Sequence, residues 1–402
     1  MTSLRSSKIP AGLVSALGVT QFIGYGTPLL QLQHPGVRHG GQSRLVAGGS
    51  FLRLLRVTVH RWPVGHLYRQ ADKIGAATIM TNGSALAAVT LALCAWSPSV
   101  AIFAVAIILL EVSSGMVQYQ AAFAALVESD PRTALRSITY LTLIGGFAST
   151  IFRPISATLT AYLSWREIYL VFAALNLLLC MPLHFWIRSL RKKAGETSIR
   201  PRETVIDAIS PHARRRAMVM VSFAFAPLGF TLAAILAHMV LMLGSIGLGA
   251  TAVVIGSLFG PAQVLSRLIN MVFGKNLSPP GLAVLSAVLI VFGVLVLLMT
   301  GNWLPGAVAF AICLGLGSGI NSIAQGSLPL YLFGSDGYGA ITGKMAAARL
   351  AVGAGAPFVF AAAMENLGLS FALVAHACLG AISIAAFVAV AASCQQPATA
   401  TA

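Results

Sequence analysis

From residue 76 onward the chain is a succession of apolar runs, each about 20 residues or longer, the length a membrane-crossing helix needs. The runs 76–96, 99–126, 137–163, 165–187, 217–243, 249–273, 280–300, 304–331, 340–363 and 368–392 predict ten spans. Four precede and six follow one long hydrophilic interval, Arg188–Arg216, in which nine Lys/Arg stand against three acids. Lys and Arg beside helix ends resist translocation, so this interval is expected in the cytoplasm. The other connectors agree with that orientation: VESDPRTALRS is mixed in charge, whereas WSPS, GSIGLG and GNW are uncharged. An even number of spans after the linker leaves the tail SCQQPATATA cytoplasmic too. The amino-terminal MTSLRSSKIPAGLVSALGVT has no small-residue cleavage site and predicts the start of a first span, not a removed leader. The expected organisation is an amino-terminal bundle (1–187), a cytoplasmic linker (188–216), a carboxyl-terminal bundle (217–392) and a short tail (393–402).

Composition supports a lipid setting. Of 402 residues, 57% are hydrophobic and 9% charged, with mean hydropathy +0.85; soluble domains carry roughly 25% charged residues. The net charge of +16 lies mainly in the linker, the amino terminus and residues 38–73, without the basic face and interleaved aromatics of a nucleic-acid surface. The five cysteines are far apart and form no CxxC or Cys/His spacing, so neither a disulfide framework nor a zinc site is expected. No Ser/His/Asp constellation or phosphate-cradling loop stands out, and no bound cofactor and no enzymatic activity are expected.

One stretch breaks the pattern. Residues 9–75 have room for two spans, and the first begins properly at Ile9–Thr27. Residues 28–68 then carry His34, Arg38, His39, Arg44, Arg53, Arg56, His60, Arg61 and His66 with no acid among them. A helix through them would hold several cations in lipid, each costing several kcal/mol. Two explanations stand. One is a basic extramembrane loop in an eleven-span protein. The other is a pair of compensating frameshifts, since permitted codons for residues 28–65, read one base later, spell an apolar helix end, a short polar loop and a second apolar helix.

The motif Arg69-Gln70-Ala71-Asp72-Lys73-Ile74-Gly75 resembles the loop signature G-x-x-x-D-(R/K)-x-G of the major facilitator superfamily. Asp72, Lys73 and Gly75 match it; Tyr68 stands where its first glycine belongs. GPAQVLSRLINMVFGKNLSP (260–279) and GSGINSIAQGSLPLYLFGSDGYGAITG (317–343) also resemble segments of bacterial facilitators. The resemblance implies an all-α integral membrane fold of two six-helix bundles. It further implies twelve spans, helices 1 and 2 being disrupted here, and alternating access around a site at the bilayer midplane. It implies a secondary transporter of a small solute in the bacterial cytoplasmic membrane, monomeric, with a coupling proton, the lipid bilayer and a small-molecule substrate as partners. A small organic anion is the first substrate class. The alternatives are proton-coupled efflux of a hydrophobic or toxic compound, and a sensor or decayed transporter that binds without moving its ligand. The fifth span lacks the glycine-proline pattern of drug antiporters, which weakens the efflux reading.

Charged or polar groups inside the spans are the candidate chemistry. Glu111 on the fourth helix suits reversible proton binding, because desolvation disfavours an ionised carboxylate; a structural ion pair is the competing role. Gln118 lies seven residues on, expected on the same face. Gln21, Tyr25, Arg153, His238, Asn321 and Gln325 complete the expected cavity set, each with inter-helix hydrogen bonding or packing as its plainer role. Gln263 and Arg267 are expected at the cytoplasmic end of helix 8 as gating or interfacial residues, Arg267 snorkelling to headgroups. Lys344 is expected to snorkel as well, with Arg349 deeper. Gly145-Gly146, Gly315/Gly317/Gly319 and Gly353/Gly355 read as close-packing positions.

Overall fold

A computed structural model describes residues 10–33, 74–197, 211–274 and 277–395. The described residues are helical with no strand. The first helices are α1 (Ala11–Gln33), α2 (Ala76–Ala95), α3 (Val100–Val117), α4 (Tyr119–Ser129) and α5 (Ala134–Tyr162). Next come α6 (Trp165–Leu175) and α7 (Met181–Thr197), joined by one π-helical turn at Asn176–Cys180. Beyond the linker lie α8 (Pro211–Leu243), α9 (Thr251–Ser257), α10 (Phe259–Phe273), α11 (Pro279–Thr300), α12 (Leu304–Phe333), α13 (Tyr338–Leu367) and α14 (Leu369–Gln395). Among the described residues nine helical stretches are long and apolar enough to cross a membrane. Several helices outrun the predicted spans, α8 starting at 211 and α13 at 338, because apolar run length measures the lipid-facing part and helices continue into polar flanks.

Helix ends follow local chemistry. Ser278 caps α11 by accepting from Gly281 N, with two prolines in the first turn where no N–H partner is needed. Ser164 and Glu167 form a reciprocal capping box on α6. Arginines cover the carbonyls that helix ends leave over: Arg166 Nε donates to Ala95 O at 3.0 Å, and an Arg214 guanidinium nitrogen donates to Phe333 O at 3.2 Å. Within spans many hydroxyls turn back on their own helix, as Thr81 does to Ala77 O and Ser286 to Ala283 O, both at 2.8 Å. This satisfies them where water is absent.

The chain divides into two compact units, Met1–Ile206 with Gly334–Lys344, and Asp207–Phe333 with Met345–Ala402. In the first, α2 is central and packs on α3, α6 and α7, while α1 packs on α5. Its core holds Leu91, Leu110 and Phe172, with the edge-to-face rings of Phe103, Trp165 and Tyr169 beside them. In the second, α11 lies between α12 and α14, α10 packs on α12, and α8 packs on α14.

Candidate functional site

In the first unit the apolar run 99–126 is two helices. α3 ends at Val117, Gln118 is extended (φ −72°, ψ −178°), and α4 begins at Tyr119. Ala121 N, which an unbroken helix would send to Val117 O, bonds Gln118 O at 3.0 Å. Val117 O instead accepts from Gln21 Nε2 of α1 at 2.5 Å, and Gln21 is 1% exposed. Leaving such a carbonyl unmet costs about 1–3 kcal/mol, so the Gln21 amide is what makes the break tolerable. Small residues let the neighbours close in. A Cβ on Gly83 would lie 2.7 Å from Met116 Cβ, and one on Gly145 would lie 2.5 Å from the Tyr119 hydroxyl. That hydroxyl donates to Thr142 O at 3.4 Å, and the Tyr119 ring stacks on Phe123.

Glu111 is on α3, 7% exposed, two turns before the break. Gln118 N donates to Ser114 O at 3.0 Å and its φ is helical, so Gln118 still ends the α3 path seven residues after Glu111; only its ψ departs, and the residues after it leave that path. Gln21 is a buried helix-to-helix donor, its amide committed to Val117. At the far end of α4, both Glu128 carboxylate oxygens accept from Ala76 N, at 3.1 and 3.2 Å. That amide follows Gly75, whose φ of +94° is open to glycine and costly for other residues. Gly75 of the signature thus has a backbone reason; Asp72 and Lys73 lie outside the described residues, as does the stretch 34–68.

In the second unit α10 and α12 are joined by a ladder with a four-residue step. Gln263 Nε2 donates to Ser318 Oγ at 2.9 Å. One turn on, Arg267 donates to Ser322 Oγ from Nε at 3.2 Å and from a terminal nitrogen at 2.9 Å. Gly319 lies between these rungs, where a Cβ would press on Gln263 O, and Gly315 lies a turn before them, where a Cβ would come within 2.5 Å of Phe259 O. Gly317, on another face of α12, meets Ser286 O and Ile290 of α11. The glycines therefore let two neighbours approach at once, as small-residue stripes do in lipid. Arg267 is 3% exposed. It is buried between helices and does not snorkel to headgroups, because close approach of α12 encloses it and Ser322 offers a hydroxyl there.

Asn321 is 4% exposed, and among the described residues no donor reaches its buried Oδ1; Gln325, one turn on, is half-buried. His238 Nδ1 pairs with Ala234 O at 3.2 Å, its own helix, and its ring centroid lies 5.5 Å from that of Phe360. Arg349 is half-buried, its stem passing a would-be Gly229 Cβ at 2.9 Å, and Lys344 is exposed. A Cβ on Gly355 would meet nothing within 4 Å, so close packing does not explain that glycine. Arg153 and Tyr25 are on α5 and α1, and their side chains lie outside the described residues. Two buried histidine pairs had no signal in the sequence beyond a lone histidine in an apolar run. These are Ser84–His184 at 2.9 Å between α2 and α7, and Thr231–His376 at 3.2 Å between α8 and α14.

The described residues form a multi-pass helical membrane protein with polar groups held inside each unit and no cluster able to bind a metal ion. The sequence model of the Major Facilitator Superfamily matches residues 63–357, most of the chain, and the protein belongs to this family of secondary transporters. Solved structures share the fold. The human organic anion transporter MFSD10 (TETRAN) superposes with TM-score 0.74 at 13% identity, over 94% of this chain and 100% of that one. A proton:xylose symporter, XylE, bound to 6-bromo-6-deoxy-D-glucose gives 0.68 at 12% identity, over 93% and 94%. The facilitator FucP in an outward conformation gives 0.66 at 13%, over 95% and 98%. No curated protein matches this sequence significantly.

Proposed function

We propose that this secondary transporter moves a small organic anion by alternating access, with a proton as coupling ion. The observation that carries the anion is Arg267: a guanidinium at 3% exposure inside a lipid-embedded unit, bonded to Ser322, the residue after Asn321 on α12. A substrate carboxylate entering beside it would gain a charge-assisted hydrogen bond from the guanidinium. One structural neighbour is named an organic anion transporter; at 13% identity that name agrees with the reading without adding weight. Glu111 is the proton site in this reading, a buried carboxylate on the span that breaks at Gln118. Gln118, Asn321, Gln325 and His238 are its neutral contacts, Gln263 and Arg267 its gating pair. Tyr25, Arg153 and the signature residues Asp72, Lys73 and Gly75 complete the working set. The protein acts as a monomer in the bacterial cytoplasmic membrane with both termini cytoplasmic, and the basic linker separates its two bundles.

The test is counterflow in proteoliposomes with labelled mono- and dicarboxylates beside neutral sugars. Carboxylate exchange that Arg267→Gln reduces by about tenfold or more is the expected result; sugar exchange with carboxylates inert would defeat the anion reading. Binding without exchange would mark a sensor. Glu111→Gln is expected to abolish proton-driven accumulation and leave energy-independent exchange intact. Unchanged accumulation would remove Glu111 from coupling.

A further inference from the structure

Within lipid a freed backbone carbonyl has no water to turn to. Two arrangements satisfy Val117 O: Ala121 N in a continuous helix, or a donor brought by another helix. The protein takes the second, with Gln21 Nε2 as donor and Ala121 N diverted to Gln118 O. Neither proline nor glycine stands at residues 117–119, so the sequence around the break does not itself demand it. Two other elements, α2 and α5, are nevertheless shaped for the broken arrangement. Gly83 of α2 leaves room for Met116 and Val117, Gly145 of α5 leaves room for the Tyr119 hydroxyl, and Ala76 N of α2 meets both oxygens of Glu128. Turning the ψ of Gln118 out of the helical region resets the azimuth of every residue after it, since each helical residue turns the chain by about 100°. A continuous helix would swing Tyr119 and Glu128 away from those partners.

We propose that Gln21 is a positioning residue of the transport cycle: its amide holds the fourth span broken at Gln118, and the break fixes where α4 presents inside the first unit. Broken helices in transporters place polar backbone and side chains at the substrate path. Here the donor that maintains the break comes from α1, 96 residues away in sequence. The inference rests on the transporter reading, but its test needs no substrate.

Spin labels at the exposed positions Val105 and Ser129, in a cysteine-free background of the full chain in lipid nanodiscs, bracket the break. A continuous helix would separate their backbones by about 36 Å, 24 residues at 1.5 Å each. The wild-type distance distribution is expected to differ from that of Gln21→Met, which keeps the size of the side chain and lacks the donor. Gln21→Met should move toward the continuous-helix value by several ångströms, and Gln21→His, which retains an N–H, should keep the wild-type distribution. Identical distributions for wild type and Gln21→Met overturn the proposal. Should Gln21→Met fail to fold, the wild type decides: a solid-state NMR correlation between Gln21 Nε2 and the Val117 carbonyl carbon is expected, and its absence overturns the proposal. Counterflow on the same preparation judges the transporter reading separately.

Discussion

The apolar run 99–126 of the first unit and the run of α12 in the second behave opposite to their local sequences. α12 contains Gly315, Gly317, Gly319, Gly326 and Pro329, yet it is one helix from Leu304 to Phe333. The run 99–126 has no proline and one glycine, Gly115, which lies inside α3, yet it stops at Val117 and restarts at Tyr119. Glycine weakens an isolated helix by about 1 kcal/mol. In lipid, however, the backbone has nowhere else to bond, so α12 stays helical and its glycines serve contact with α10 and α11. A helix here breaks where another element supplies a replacement hydrogen bond.

Gly319→Val should have the largest effect on this contrast. A Cβ at Gly319 already meets Gln263 O at 2.4 Å, and backbone cannot yield as a side-chain tip can. We expect a loss of about 3 kcal/mol or more, read as thermal unfolding in detergent; a stable variant would mean that α10 and α12 are less closely packed. Gly145→Ala comes next. It meets the tip of Tyr119, and we expect about 1–2 kcal/mol, with the added sign that Tyr119→Phe restores part of the loss. Absence of that restoration would take the Tyr119 slot out of the account. Ser318→Ala is the smallest. It removes the hydroxyl that accepts from Gln263 Nε2 and should cost about 1 kcal/mol, leaving helix continuity by circular dichroism unchanged.

Much of the architecture was readable beforehand because run length and charge asymmetry are local properties of the chain. Nine of the ten apolar runs match described helical stretches long and apolar enough to cross a membrane, the run 137–163 lies in α5, and the glycine stripe of α12 is a packing stripe as its spacing implied. The break at Gln118 was not readable, since its cause is a donor from Gln21 on another helix. Arg267 was misplaced for a similar reason. Its nearness to the GKNLSP loop suggested a headgroup anchor, whereas its burial depends on how closely α12 approaches. Glu128 carries no local signal, because a carboxylate near a loop resembles any solvated charge and its partner, Ala76 N, is 52 residues away in sequence. The basic stretch 28–68 lies mostly outside the described residues, and the family match begins at residue 63. Independent sequencing across codons 20–80 is expected to shift its frame to the apolar reading; codons incompatible with that reading would establish the basic loop instead.

α4 is only 11 residues long, about 16 Å at 1.5 Å per residue. Its near end is tied to α1 through Val117 and Gln21, and its far end to the start of α2 through Glu128 and Ala76. A short rigid strut pinned at both ends cannot lengthen, and the rotation left to it about the line between the pins is opposed by Tyr119 seated at Gly145. Sliding of α1 past α2 must therefore tilt this strut or release a pin, which makes α4 a mechanical linkage between α1 and the start of α2.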